Sequence, residues 1–447
     1  MARSPETLLL LALAAIVLLV VLVTWRKINA FIALLLAAMV VGVGSGMNPL
    51  ESLMSFQLGV GATLGGIAAV IAFGAMIGKL LAESGGAEIL AERFIRFFGP
   101  SRAVLCVMAL AVVVGLVTWF VVGLLLLLPV LVTLVRQSGR PFLLLAIPLV
   151  AFLSVMHGLM PPHPGPVVAV ELLGANTGKV LAYGFLIGIP TAVVAGPLFA
   201  RWAVRYVHVE TPEAIAAATA GRRARPTFGG TLFVLALPVG LMLLATVGEL
   251  AFPQGNPVRA ALAFIGHPVV ALTVSVFAAA WIFGRACGFG RSEILLFTEQ
   301  SVAGIGMTLL VVAGGGGFAS VLRDSGTAEA LGALASTFHL PPLVYAWIIS
   351  AFIRVATGSA TVAITTAAGL LGPVILANPG LSPELLVLSV GFGSLFFSHL
   401  NDGGFWFVKD CLGLTVGQTF RTWTVTESII GIVGLALTLV LALALAP

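Results

Sequence analysis

Charge is what this sequence has least of. Only 9% of its 447 residues are Asp, Glu, Lys or Arg, while 60% are hydrophobic. Soluble domains carry about a quarter charged residues, so a water-soluble globular fold is excluded. Cysteine is scarce as well. Cys106, Cys287 and Cys411 stand singly in or beside apolar segments, which excludes a disulfide frame and a cysteine metal motif. No HExxH occurs, and no nucleophile–base signature stands in its place, so neither an enzyme nor a metal or other cofactor is expected. The net charge of +5 does not indicate nucleic acid, because the basic residues lie at the ends of apolar stretches, as a membrane orientation signal does.

What is present is apolar length. The mean hydropathy is +1.16, and several stretches reach the roughly 20 residues that cross a bilayer. Full spans are expected at 7–24, 28–46, 58–81, 178–206, 230–252, 268–286, 297–322 and 422–446. Segments 141–173 and 383–408 cross but are interrupted, and 103–136 and 343–376 each kink at a small or polar centre. The first stretch resembles a signal peptide in length. However, Arg3 is its only basic residue and no small-residue cleavage site follows, so it reads as a retained helix. Residues 83–98 mix charged and apolar positions and read as a surface helix.

The chain also repeats itself. Residues 80–91 (LLAESGGAEILA) return as 321–332 (VLRDSGTAEALG) with six identities in twelve positions. Glu51 falls opposite Glu293, Pro100 opposite Pro341, and the interruption at 157–166 opposite that at 399–404. With ten crossings, seventeen Lys and Arg fall on one face, including Arg222, Arg223 and Arg225 of the polar connection. Only Arg3, Lys179, Arg259 and Arg323 fall on the other. The rich face is assigned to the cytoplasm, with both termini outside. Five crossings per half inverts the second copy, the plan of secondary transporters. The expected fold is an all-α polytopic membrane protein of two inverted-topology repeats, each with a re-entrant hairpin and a broken transmembrane helix. The first repeat covers 1–206, a cytoplasmic linker 207–229, and the second repeat 230–447. Charge parity leaves open whether 103–136 and 343–376 are re-entrant or fully spanning.

Broken backbone at membrane depth survives only where protein or water satisfies it. The first break carries Pro161, Pro162, Pro164 and Pro166, none of which continues a helix. The second reads Asn401-Asp402-Gly403-Gly404. The repeat alignment places His157 and His399 just before the two unwound points, with His163 wedged between prolines. The kinks hold Thr118 to Gly123 in one copy and Gly358, Ser359 and Thr361 in the other. A returning helix at such a tip offers free N–H groups that suit an anion. Arg354 is the one basic residue placed within the apolar depth, and it marks a functional site by default. Structural readings compete: Arg354 can pair with Asp402, Ser359 and Thr361 can bond back to their own helix, and His163 can fill a polar gap. Glu171 and Glu249 read as interfacial, and Glu427 near the start of the last span is undecided.

HGLMPPHPGP (157–166), FGAMIGKLLAESGGAE (73–88), AGGGGFASVLRDSG (313–326), RVATGSATVA (354–363) and SHLNDGGFWFVKD (398–410) resemble the gluconate permease family, GntP, of the ion transporter superfamily. The resemblance runs from about residue 10 to the C-terminus. It implies a bacterial inner-membrane symporter for gluconate or a related hydroxy-acid, driven by protons, and leaves a homo-oligomer open. Relatives carrying glycerate or D-serine, and sodium-coupled carboxylate carriers of the superfamily, are the alternatives. On this reading Arg354, Gly358, Ser359 and Thr361 meet the substrate carboxylate, and His157, His163 and Asn401 its hydroxyls. Asp402, with His399, takes the proton, and Thr118 and Gly123 mark the other hairpin tip. One departure stands out: Val121 occupies the tip position where gluconate permeases usually carry an acid.

Overall fold

The computed structural model describes residues 4–210, 224–327, 330, 341–378, 380–400 and 402–445. Most of the expected cytoplasmic linker, with Arg222 and Arg223, and the candidate ligand Asn401 lie outside them. Among the described residues the regular structure is helical throughout. Nine helices are long and apolar enough to cross a membrane, or ten if the bent pair Gly86–Phe98 and Pro100–Gly115 counts as one span.

The first half runs α1 (Pro5–Val20), α2 (Ala30–Ser45), α3 (Pro49–Ser84), α4 (Gly86–Phe98), α5 (Ala103–Gly115), α6 (Phe120–Ser138), α7 (Phe142–Leu159), α8 (Pro164–Leu173) and α9 (Thr177–Ala203). The second runs α10 (Phe228–Ala251), α11 (Pro257–Ile265), α12 (Pro268–Ala279), α13 (Arg291–Asp324), α14 (Pro342–Thr357), α15 (Ala360–Ala377), α16 (Pro383–Leu395), α17 (Gly403–Cys411) and α18 (Val416–Leu445). From α3 onward the helix starts recur in order: Pro49 and Arg291, Ala103 and Pro342, Phe120 and Ala360, Phe142 and Pro383, Pro164 and Gly403, Thr177 and Val416. Each pair is separated by nearly the same stretch of chain as the duplicated motif.

The ends of α3 and α13 explain one feature of the repeat. Glu51 accepts the Asn48 N–H at 3.4 Å, and Glu293 accepts the Gly290 N–H at 2.7 Å. Both acids are third-position caps that satisfy an orphan backbone donor at a positive helix end. Because of these caps, α3 and α13 start several residues before the expected spans at 58 and 297. At 36 and 34 residues they measure roughly 50 Å, well beyond the roughly 30 Å hydrocarbon core. They must tilt or project from it. By contrast α2 and α16, at 16 and 13 residues, are too short to count as full spans by themselves. In the first kinked segment α6 alone is long enough to span.

α3 and α13 cross where both carry glycine. A Cβ on Gly59 would sit 2.5 Å from the Gly316 carbonyl oxygen, and one on Gly317 would sit 2.7 Å from the Phe56 ring. The Gly-rich run 314–317 therefore exists for close backbone approach, the usual way helices associate without a hydrophobic driving force between them. α4 reads as the expected surface helix: Leu90 and Ala91 are buried, Phe97 is exposed, and the axis bends by 106° into α5. The short exposed helix α11 was not anticipated. Its Asn256 cap and Pro257 follow a polar turn at 253–256 that reads as a loop. At the centre lie α7 and α16, which are almost wholly buried. They meet at glycines: a Cβ on Gly391 would stand 3.0 Å from the Gly158 carbonyl oxygen.

Candidate functional site

The chain leaves α16 at Leu395 and re-enters helix at Gly403. Between them Phe397 takes a left-handed φ of 53°, a conformation uncommon for a non-glycine residue. Asp402 is the N-cap of α17 and accepts the Gly404 N–H at 2.7 Å. A Cβ at Gly404 would lie 3.2 Å from both Asp402 carboxylate oxygens, so glycine keeps the cap uncrowded. The same carboxylate accepts the Ser398 hydroxyl and pairs with Arg354 Nη2. Trp423 Nε1 donates to Ser398 Oγ at 2.7 Å and Thr424 Oγ1 donates to the Ser398 carbonyl at 2.6 Å, fastening the start of α18 to the break.

Arg354, near the end of α14, is 3% exposed. The ion pairs Lys79–Glu83, Arg225–Glu92 and Lys409–Asp410 all involve more open side chains. Arg354 uses one amino group on Asp402, while its Nε and Nη1 have no hydrogen-bond partner among the described residues. Buried polar atoms without partners are costly and uncommon. A guanidinium carries five N–H donors, so those of Nε and Nη1 remain for an anionic acceptor such as a carboxylate.

In the first half α7 stops at Leu159 and α8 starts at Pro164, where proline suits the first helical position because its missing N–H would be unpaired there anyway. His163 is buried and its Nε2–H donates to the Gly115 carbonyl at 2.7 Å, tying the end of α5 to the break. The His157 ring centre lies 5.0 Å from that of His163. Its Nδ1 is buried without a partner among the described residues. His157, Gly165 and Pro166 from the first half and Ala360, Thr361 and Ser394 from the second enclose a cavity of about 10 Å³, roughly one water in size.

The structure thus joins Arg354 to Asp402, and His157 to Thr361. Other predicted residues fill local roles. Gly358 takes φ 72° and its N–H closes α14 on the Arg354 carbonyl at 2.9 Å. Ser359 caps α15 by accepting the Val362 N–H at 3.3 Å. His399 Nε2–H donates to the Val355 carbonyl at 2.9 Å. Thr118 Oγ1 donates to the Val114 carbonyl at 2.8 Å, and a Cβ on Gly123 would lie 2.9 Å from that oxygen. This first hairpin tip does not border the small cavity. Thr118 instead lines a separate cavity of about 350 Å³ with Lys79, Gln300 and Ser301, and Val121 is 41% exposed. A further cavity, about 550 Å³, runs from Pro161 and Val167 to Glu171 and His267. Asn176 Nδ2 donates to both Glu249 oxygens there, at 3.1 and 2.9 Å.

One residue left undecided by the sequence belongs with the charged break. Glu427 on α18 is buried, faces Ser154 of α7, and lies within electrostatic reach of Arg354 and Asp402. The polar run Thr424 to Ser428 inside an otherwise apolar last span was the signal for it, since an ionisable group in such a span marks function by default.

A helical bundle whose central crossings break around a buried ion pair is the architecture of a multi-pass membrane transporter. The comparisons with known proteins specify this further: the chain belongs to the GntP permease family, whose model (GntP family permease) matches residues 7–444. It is 44% identical to a gluconate permease of Pseudomonas aeruginosa over 98% of both chains. It is 42% identical to the Gnt-II system L-idonate transporter of Escherichia coli over 96% of this chain and 97% of that one. The D-serine transporter DsdX of Escherichia coli is 33% identical over the same shares. These relatives are all named permeases or transporters. Among solved structures, the YdaH transporter of Alcanivorax borkumensis aligns with a TM-score of 0.65 at 17% identity, covering 96% of this chain and 99% of that one. That likeness concerns the fold alone.

Proposed function

We propose that this chain imports gluconate or a closely related sugar-acid anion across a bacterial inner membrane by proton symport, and is not an enzyme. The observation that carries the reading is Arg354: a buried guanidinium between broken helices, held by Asp402 through one amino group while Nε and Nη1 lack partners among the described residues. A substrate carboxylate arriving there makes charge-assisted hydrogen bonds that offset the burial. Relatives at 41–44% identity are gluconate permeases, which supports a sugar acid over D-serine. Its hydroxyls would meet His157 and Thr361, and the α15 tip and the proline break must part to admit it. The two halves, 1–206 and 230–447, act as inverted repeats with the connection between them cytoplasmic and both termini outside.

Proton coupling follows from charge. With the site empty, Arg354 and Asp402 neutralise each other. A substrate anion on Arg354 leaves Asp402 without its cation, and a lone buried carboxylate takes up a proton instead of staying charged. Loading therefore binds one anion and one proton together. The test is uptake into proteoliposomes, with gluconate, L-idonate, glycerate, D-serine and citrate as competitors under separately imposed proton and sodium gradients. Accumulation of gluconate on a proton gradient alone is expected. Accumulation on sodium alone overturns the coupling, and preference for D-serine overturns the substrate. Asp402→Asn should bind and exchange gluconate but not accumulate it.

A further inference from the structure

The charged break holds one cation and two acids. Asp402 has a full set of partners: Arg354, the Ser398 hydroxyl and the Gly404 N–H. Glu427 has far fewer. It is 1% exposed, faces Ser154, and among the described residues it has no ion-pair partner and leaves Oε1 without a hydrogen bond. Its backbone position is well determined, because Trp423 and Thr424, three and four residues earlier on α18, both bond Ser398. Residues four apart share a helix face, so Glu427 stands one turn along α18 from Trp423, which bonds the serine whose hydroxyl bonds Asp402. On its other side Ser154 lies one turn before His157, whose Nδ1 also has no partner among the described residues.

The groups able to influence Glu427 can be enumerated. The helices packed on α18 are α7, α9, α14, α16 and α17. Their titratable residues are His157; Lys179, Tyr183 and Arg201; Tyr345 and Arg354; Glu384; and Lys409, Asp410 and Cys411. Among the described residues, Arg354 and Asp402 are the charged groups within electrostatic reach of Glu427. One guanidinium cannot balance two dry carboxylates, and a buried charge without a partner costs several kcal/mol. In the empty protein the ion pair satisfies Asp402, so the surplus carboxyl is the one that must carry hydrogen.

We propose that Glu427 is the proton relay of this transporter. It holds a proton beside the Arg354–Asp402 pair and passes it to Asp402 when a substrate carboxylate takes Arg354. The O–H bond of Glu427 breaks and one forms on Asp402. Glu427, left as a carboxylate, then regains a proton from water. This relay supplies the coupling residue with a proton while Arg354 and Asp402 stay buried. It rests on the proton-symport reading above and adds to it the residue that delivers the proton.

Glu427→Gln keeps the size and hydrogen bonding but cannot release a proton; Glu427→Asp keeps an ionisable group on a shorter arm. In proteoliposomes the Gln variant should bind gluconate within about threefold of the unmodified protein and exchange it across the membrane. Its accumulation on a pH gradient should fall at least tenfold. The Asp variant should recover at least a third of that drive, and the pH dependence of uptake should flatten only in the Gln variant. Full accumulation by the Gln variant overturns the relay. So does equal loss of drive in two variants that both still exchange. Loss of exchange in both, with lowered melting temperatures, assigns Glu427 a structural role and overturns it as well. If the unmodified protein itself ignores the pH gradient, the symport reading falls and takes the relay with it, a result distinct from the other three.

Discussion

The two broken crossings occupy matching places in the chain and have become chemically different. The first is stiff and carries no ion pair, with four prolines, two histidines and almost complete burial. The second is glycine-hinged and charged, built on Arg354, Asp402 and the Ser398 cluster. Yet one device is common to both. His163 bonds the Gly115 carbonyl and His399 bonds the Val355 carbonyl, and those carbonyls end the equivalent helices α5 and α14. Each break is thus tied to its own hairpin by an imidazole N–H. In the first copy the tying histidine is the N-cap of the re-entering helix α8, whereas in the second it stands three residues before the α17 cap Asp402. Aligning His157 with His399 by sequence therefore pairs residues that do different jobs. His157 has been released from the tie and faces the small cavity with Thr361. The comparison teaches that matching stretches of chain can build like scaffolds and still differ in the side chains they carry at the break.

The largest expected effect lies in the charged copy. Arg354→Ala strands a buried Asp402 and should cost about 3–5 kcal/mol of stability by thermal unfolding in detergent, with uptake abolished. Adding Asp402→Ala should recover most of the stability and none of the transport. If the double variant is no more stable than the single, the pair is not what holds the second break. Arg354→Lys is milder, keeping charge but losing the planar fork. Gluconate affinity should fall tenfold or more, about 1.4 kcal/mol, as measured by titration of the purified protein, and an unchanged affinity would remove Arg354 from the site.

The histidine ties test the shared device. His163→Ala and His399→Ala each leave a carbonyl without its donor and should each cost about 1–3 kcal/mol. His157→Ala breaks no tie, so it should lower substrate affinity more than it lowers the melting temperature. Matching losses of stability and affinity in His157→Ala and His399→Ala would restore the simple alignment and break the comparison. A last effect, of similar size on stability, belongs to the element outside both breaks. Gly316→Ala at the α3–α13 crossing overpacks a site where a Cβ would lie 1.8 Å from Thr63 Oγ1, at about 1–3 kcal/mol. It should slow transport without changing substrate preference.

Hydropathy, the duplicated motif and the proline and glycine breaks were legible in the chain because each is a local rule. A bilayer demands long apolar runs, proline ends a helix wherever it stands, and a buried arginine announces a site. They sufficed for an all-helical membrane protein with interrupted central crossings and for Arg354 and Asp402 as residues of interest. Three things depended on the packing. The long reach of α3 and α13 came from caps at Glu51 and Glu293 that a span search passes over. The separation of His157 from His399 came from which carbonyl each ring can reach across the bundle. Glu427 joined the charged break only because α18 is anchored through Trp423 and Thr424 to a serine 25 residues and more away in the chain. Composition and periodicity act along one segment at a time, whereas hydrogen bonds and charges are shared between segments, and only the tertiary structure decides which segments meet.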